Sequence, residues 1–251
     1  MSRVESDDAG LESDRSYRVD FRLGSDLFSE VGQQYISDIF GEITCTEDDG
    51  SDTLERVGTL IGHIIRVDRA WEDNMDLLDV CDEHSQTLYD YANVLFDFRQ
   101  QALKKSLERQ FDTPFSLNVL VADTVEILPS HRGQNVGLAT VWHFLEQFSG
   151  GCGLAVCEPF PMQFKDTGAD HSNWCSLMRA GDFVADQKLA LQKLRTLWSR
   201  LGFERIRGTP KYALSLERSR PTLREVLEGG GEIRTKRVKK GKHQSLTEGD
   251  E

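Results

Sequence analysis

Residues 119–148 constrain the fold most, because a strand pattern there runs through a glycine-bearing loop straight into a helix pattern. Residues 115–128 are strand-like, and the segment PSHRGQNVGLATVWHFLEQF follows at once. In it Val136, Ala139, Thr140, His143, Phe144 and Phe148 recur at helical spacing. A helix entered this way offers first-turn N–H groups that have no partner inside the helix, and its dipole adds positive potential there. Phosphate groups bind at such places. Gly133 and Gly137 allow a positive φ or a close approach of the backbone to a ligand. The loop lacks the Lys-Ser/Thr ending of a P-loop and the glycine spacing of a Rossmann turn.

The rest of the chain supplies a sheet for this unit. Residues 17–23 alternate around Val19, Phe21 and Leu23 as a half-buried strand does. Ser25 and Asp26 are placed to cap a short helix running to about Gln34. Strands are expected around residues 39–46 and 57–67, separated by the turn-rich DDGSD. In the second, Val57, Thr59, Ile61, His63, Ile65 and Val67 share one face, so His63 reads as a hydrogen-bonded structural histidine. From 74 to 109 the period becomes helical, giving one long helix or two consecutive ones whose apolar stripe is core or a dimer seam. Further on come a compact strand at 152–157, a loop over 163–186 and a helix with Leu189, Lys193, Leu197 and Leu201 on one side. Two short strands follow, at 203–207 and 212–216.

Composition narrows the class. The 251-residue chain is 38% hydrophobic, ordinary for a globular protein, and its net charge of -12 works against general nucleic-acid binding. It has no apolar run of membrane-spanning length and no signal-peptide pattern near Met1, so a cytoplasmic protein without membrane association is expected. The five cysteines are widely spaced without a CxxC pair and read as reduced thiols, several buried. Residues 1–16 are acidic and polar and are expected to be disordered. Residues 219–251 read as a flexible tail. It carries a triglycine from Gly229 and a basic cluster (Arg234, Lys236, Arg237, Lys239, Lys240, Lys242) suited to an anionic partner or simply solvated.

Arg132-Gly133-Gln134-Asn135-Val136-Gly137 resembles the central motif of the GNAT acetyltransferase superfamily, [Gln/Arg]-x-x-Gly-x-[Gly/Ala], and Ile127-Leu128-Pro129 matches the residues that precede it. Asn135 departs from the usual glycine, although Asn tolerates left-handed geometry. Leu197-Trp198-Ser199-Arg200-Leu201-Gly202-Phe203 is similar to that family's Leu-Tyr-x-x-Leu-Gly-Phe, with Gly202 as a helix C-cap. The resemblance covers roughly 119–216. It implies an α/β GNAT fold over 17–218, a mixed central sheet flanked by helices, with a helical insertion at about 72–112 before the cofactor-binding strand. It also implies acetyl-CoA as co-substrate. The amides of Arg132, Gly133, Gln134, Asn135, Val136 and Gly137 are then to hold the pyrophosphate, and the strand end at Ile127 and Leu128 the pantetheine.

The implied reaction is N-acetyl transfer to an amine by direct attack in a ternary complex. The acceptor is a small-molecule amine or one linked to protein or RNA. The alternative is a catalytically degenerate acyl-CoA-binding or interaction module. That alternative is suggested by Trp198, which replaces the family's tyrosine acid and whose indole has no proton to give at a useful pKa. An attacking ammonium must first lose a proton. Glu158, beside the expected split between the two central strands, is the first choice of base and Glu126 the second, with Asp123 on the same strand and His131 at the loop mouth also in reach; each has a bland reading as a solvated carboxylate or, for His131, an exposed loop residue. Cys157 as nucleophile would need a depressed thiol pKa. No metal is expected, since His171 and Cys175 form a pair without a second pair nearby.

Overall fold

The computed structural model describes residues 15–24, 33–47, 54–164, 177–178 and 186–229. The expected helix at 25–34 lies largely outside them. So do most of the loop with His171 and Cys175, the residues 1–14, and the basic cluster. Seven strands form one sheet in the order β1-β2-β3-β6-β7-β9-β8. They are β1 (Arg15–Gly24), β2 (Ile36–Glu47), β3 (Glu55–Ile65), β6 (Val119–Ile127), β7 (Leu154–Cys157), β8 (Glu204–Arg205) and β9 (Tyr212–Ser215). A separate hairpin pairs β4 (Phe96–Asp97) with β5 (Ala102–Leu103). All neighbours in the main sheet are antiparallel except β6 and β7. The protein is thus an α/β fold on a mixed sheet.

Both faces of the sheet are covered at its centre. One is packed by α1 (Val67–Glu72), α2 (Leu77–His84), α3 (Gln86–Leu95) and α4 (Lys105–Phe111), whose Leu77, Leu88, Leu95 and Phe111 join Val119, Val121, Leu154 and Val156. The other carries α5 (Val136–Phe148), whose Leu138, Val141 and Phe144 meet the alternate residues Leu120, Ala122, Ala155 and Cys157. This period-two division is why β6 and β7 read as nearly continuous apolar runs. Phe144 lies so close to β3 that a Cβ on Gly62 would fall 2.5 Å from its ring tip, so glycine is what lets α5 settle onto the sheet.

Four expectations need correction. The segment 74–109 is not one or two long helices. Capping side chains at Asp76 and Ser85 break it into short helices, and the chain reverses through the β4–β5 hairpin at Phe96–Leu103. Val57 does not share a face with Thr59: a bulge shifts the β2–β3 register between Ile43 and Thr44, and Val57 packs with Ile43 and Val136. Residues 219–229 do not belong to a free tail. They form α7 (Leu223–Glu228), started by a Thr222/Glu225 capping box and anchored by fully buried Val226.

The helix α6 (Gln187–Arg200) also differs from its expected apolar side, since Leu189 and Leu197 are exposed while Ala190 is buried and Trp198 and Leu201 enter the core. Among the described residues no helix is long and apolar enough to cross a membrane.

Candidate active site

β6 and β7 run side by side only from Val119/Leu154 to Ala122/Cys157. β7 then stops, while β6 continues to Ile127 with, among the described residues, a partner strand on its β3 side alone. Asp123 is the residue at which this begins. It has no counterpart on β3, where the register jumps from Ile61/Thr124 to Gly62/Ala122. Such a bulge bends the strand and increases its twist, which suits the opening of a cleft between the two parallel strands.

Beyond the cleft, the loop is held in a definite shape. Pro129–His131 make one 3-10 turn, Gly133 adopts φ +79° and Asn135 takes the left-handed conformation at φ 59° directly before α5. Asn135 therefore fills a position usually given to glycine without leaving the left-handed region, which asparagine tolerates. It makes no side-chain cap, and among the described residues the first-turn amides of Val136, Gly137 and Leu138 donate no hydrogen bond. A Cβ on Gly137 would stand 3.6 Å from Ile127 and 3.9 Å from Val125, ordinary contact distances. Gly137 is therefore not required by the packing of the chain itself.

His131 is not an exposed loop residue, being 2% accessible. Its Nδ1 lies 3.0 Å from the Tyr17 hydroxyl, which donates to Gln134 Oε1 at 2.6 Å. Since a phenol has one hydrogen, the Nδ1–H then donates to the Tyr17 oxygen. Nε2 faces Glu55 at 3.6 Å. His131 thus pins the loop to β1 and the start of β3, and is spent structurally.

The side chain of Arg132 turns back onto the strand, Nε donating to the Ile127 carbonyl at 2.8 Å and a terminal nitrogen to the Met178 carbonyl at 2.9 Å. Burial lowers its pKa and the Glu126 charge opposes that shift. The Ile127 carbonyl is therefore occupied from within. The Leu128 amide is turned the other way, donating to Val57 at 2.8 Å, so Leu128 offers no donor to the cleft. Strand alternation leaves Val125, which the sequence did not single out, beside Ile127 on the open edge.

Glu158 follows β7 directly and stands at the base of the cleft. Its Oε2 accepts from Lys211 Nζ at 2.7 Å, and that ammonium also sits 4.2 Å from the centre of the Tyr91 ring. Tyr91 reaches the site from α3, and burial together with the charges of Cys157, Glu158 and Asp123 pushes its pKa well above the usual phenol value. It stays a neutral donor. Burial and the neighbouring Glu158 likewise push the Cys157 thiol up, so the proton stays on sulfur and the thiolate chemistry weighed for it has no basis. Glu126 is half-buried on β6 opposite Thr59, on the far side of the Asp123 bulge from Glu158. Trp198 packs edge-on against Phe203 with ring centres 5.1 Å apart, partly buried against the core.

Lys211 and Tyr91 are the site residues that sequence reasoning missed. Neither lies in a motif, and only the pairing of β9 with β7 and the docking of α3 bring them to Glu158. Comparisons with protein-family models, with curated proteins and with solved structures find no match to this chain.

Proposed function

We propose that the protein is a GNAT-type N-acetyltransferase that binds acetyl-CoA in the cleft between β6 and β7 and passes the acetyl group to an amine. The observation that carries this reading is the edge of β6 that no strand pairs among the described residues, leading through the 128–135 loop into an uncapped helix N-terminus. An extended amide chain can add to such an edge as a strand does, and a pyrophosphate can accept from the loop and first-turn amides. Gly133, beside which a Cβ would meet nothing within 4 Å, and the left-handed Asn135 suit the same ligand.

Bound acetyl-CoA would supply the thioester carbonyl. The chain's part is to hold it, exclude water and move protons. The amine nitrogen attacks the carbonyl carbon, the carbon–sulfur bond breaks, and the sulfur leaves with the electron pair. The proton shed by the amine goes to a carboxylate, through water where the gap requires it. Glu158 fills that role only by sharing itself with Lys211, whose ammonium in turn offers positive charge to the departing sulfur. Glu126 is the second acceptor for the proton.

The second reading, an acyl-CoA-binding module without turnover, is favoured by two observations: Glu158 is tied up in an ion pair and Trp198 is partly buried against the core. One experiment separates the two. Saturating acetyl-CoA raises Tm by about 5–10 °C at a hundredfold excess over Kd, by linkage. Gly137→Asp abolishes that rise while leaving the unliganded Tm unchanged, since its Cβ fits and a first-turn carboxylate suits the helix dipole. Mass detection of acetylated product across an amine panel then decides between transferase and binding module. An undiminished response in Gly137→Asp removes the cofactor from this loop.

A further inference from the structure

Away from the cleft, Asp38 of β2, His63 of β3 and His84 at the end of α2 come together on the sheet face that the helical insertion covers. His63 Nδ1 lies 2.8 Å from Asp38 Oδ1, and His84 Nε2 lies 2.9 Å from that same oxygen. The two imidazoles stand edge-on, ring centres 5.1 Å apart, with one nitrogen of each converging on a single point. The side chains of His63 and His84 are 11% and 20% exposed, against 60% for Asp38, so the cluster is walled on the protein side and open toward solvent. His84 Nδ1 is buried and makes no hydrogen bond among the described residues, which leaves Nε2 as the productive atom of that ring.

We propose that Asp38, His63 and His84 form a binding site for a divalent transition-metal ion of the zinc class, fastening the insertion to the sheet. In the metal-free arrangement both ring nitrogens meet one oxygen of the carboxylate, which can accept from both. A dication instead accepts a lone pair from each of the three groups. Imidazole and carboxylate are ligands that zinc, copper, iron and nickel accept. With metal–ligand bonds of about 2.0–2.2 Å in tetrahedral geometry, neighbouring ligand atoms stand roughly 3.3 Å apart. Opening the present contacts to that spacing takes a shift of about half an ångström, well within one rotamer adjustment of exposed Asp38. Three protein ligands leave the fourth position to water, on the side where Asp38 is exposed.

The test uses the full chain, stripped with a chelator in reducing buffer, and titrates zinc calorimetrically and cobalt(II) by visible absorption. One equivalent binds, and the cobalt spectrum shows nitrogen and oxygen ligation without a thiolate charge-transfer band. Zinc raises Tm. Asp38→Asn and His84→Ala each weaken zinc binding by roughly 100-fold or more, beyond the 10–100-fold typical of losing a supporting group, and the zinc-induced Tm rise disappears in both. His143→Ala, a change at an exposed histidine of α5, leaves binding as it was. Should His84→Ala lose its fold by circular dichroism, Asp38→Asn, at the exposed member of the cluster, carries the result. Absence of saturable zinc binding overturns the proposal, as does unchanged affinity in the variants. A thiolate band in the cobalt spectrum overturns it too, by assigning the metal to cysteine.

Discussion

Lys211 keeps its ammonium beside Glu158 at 2.7 Å and over the Tyr91 ring at 4.2 Å, with only 8% of its side chain exposed. A charge so placed depends on its partner, because removing one member of a buried pair leaves the other desolvated and uncompensated. Glu158→Gln is therefore expected to cost stability, about 1–3 kcal/mol, below the 3–5 typical of fully buried pairs because Glu158 is 36% exposed. Lys211→Met in the same chain returns most of it, the ring of Tyr91 then packing against an apolar chain. Denaturant midpoints of the two singles and the double measure this coupling. Where turnover is detected, the double variant also separates the roles of Glu158. Restored turnover in the double variant makes the pair structural, and a stabilised but inactive double variant assigns the chemistry to the Glu158–Lys211 pair.

At the scale of elements, the C-terminal helix is the clearest case of a segment whose sequence looks dispensable and whose position is not. Val226 is 1% exposed, Trp142 Nε1 donates to the Pro221 carbonyl at 3.0 Å, and Arg200 donates to the carbonyls of Val226 and Leu227. Burying one valine is worth about 1.5–3 kcal/mol and the capping box about 1 more. A chain ending at Gly229 should keep the Tm of the full-length protein. One ending at Arg220 should melt about 5–10 °C lower by differential scanning calorimetry, at about 2–4 °C per kcal/mol for this size. Equal melting of the two chains would make α7 an unanchored appendage.

The whole molecule carries an alkaline liability in its core. Burial pushes Cys81 up to about 12 and Cys152 up to about 11 from 9.0, and raises Tyr91 and Cys157 well above their usual values. In each case the folded state holds a proton that the unfolded chain releases earlier. Their contribution to stability is therefore complete below the unfolded thiol value of 9.0 and is lost as pH rises from there toward 11 and 12. Urea midpoints in reducing buffer should be level from about pH 7 to about pH 8.5 and fall steeply above, and Cys81→Ala should make the fall shallower. A midpoint flat to about pH 11 would show that these groups are solvated.

The strands of the main sheet were all legible in the chain, because alternation and β-branched runs follow from which faces are buried, and β6 and β7 are apolar on both. The loop of residues 132–137 was legible for a similar reason. Backbone conformation is local, and Gly133 and Asn135 announce the left-handed geometry that they adopt. What no spacing along the chain reveals is convergence. The Asp123 and Val57 bulges turn on how two strands register against each other, and each reverses an alternation that sequence alone would extend. Glu158 could be placed at the end of its strand, but its pairing with Lys211 and Tyr91 required β9 to lie beside β7 and α3 to dock. Asp38, His63 and His84, distant in the chain, became one cluster only when the insertion folded onto the sheet. Local conformation is a property of neighbours in sequence, whereas the charge, burial and ligand sets that make a site are properties of neighbours in space.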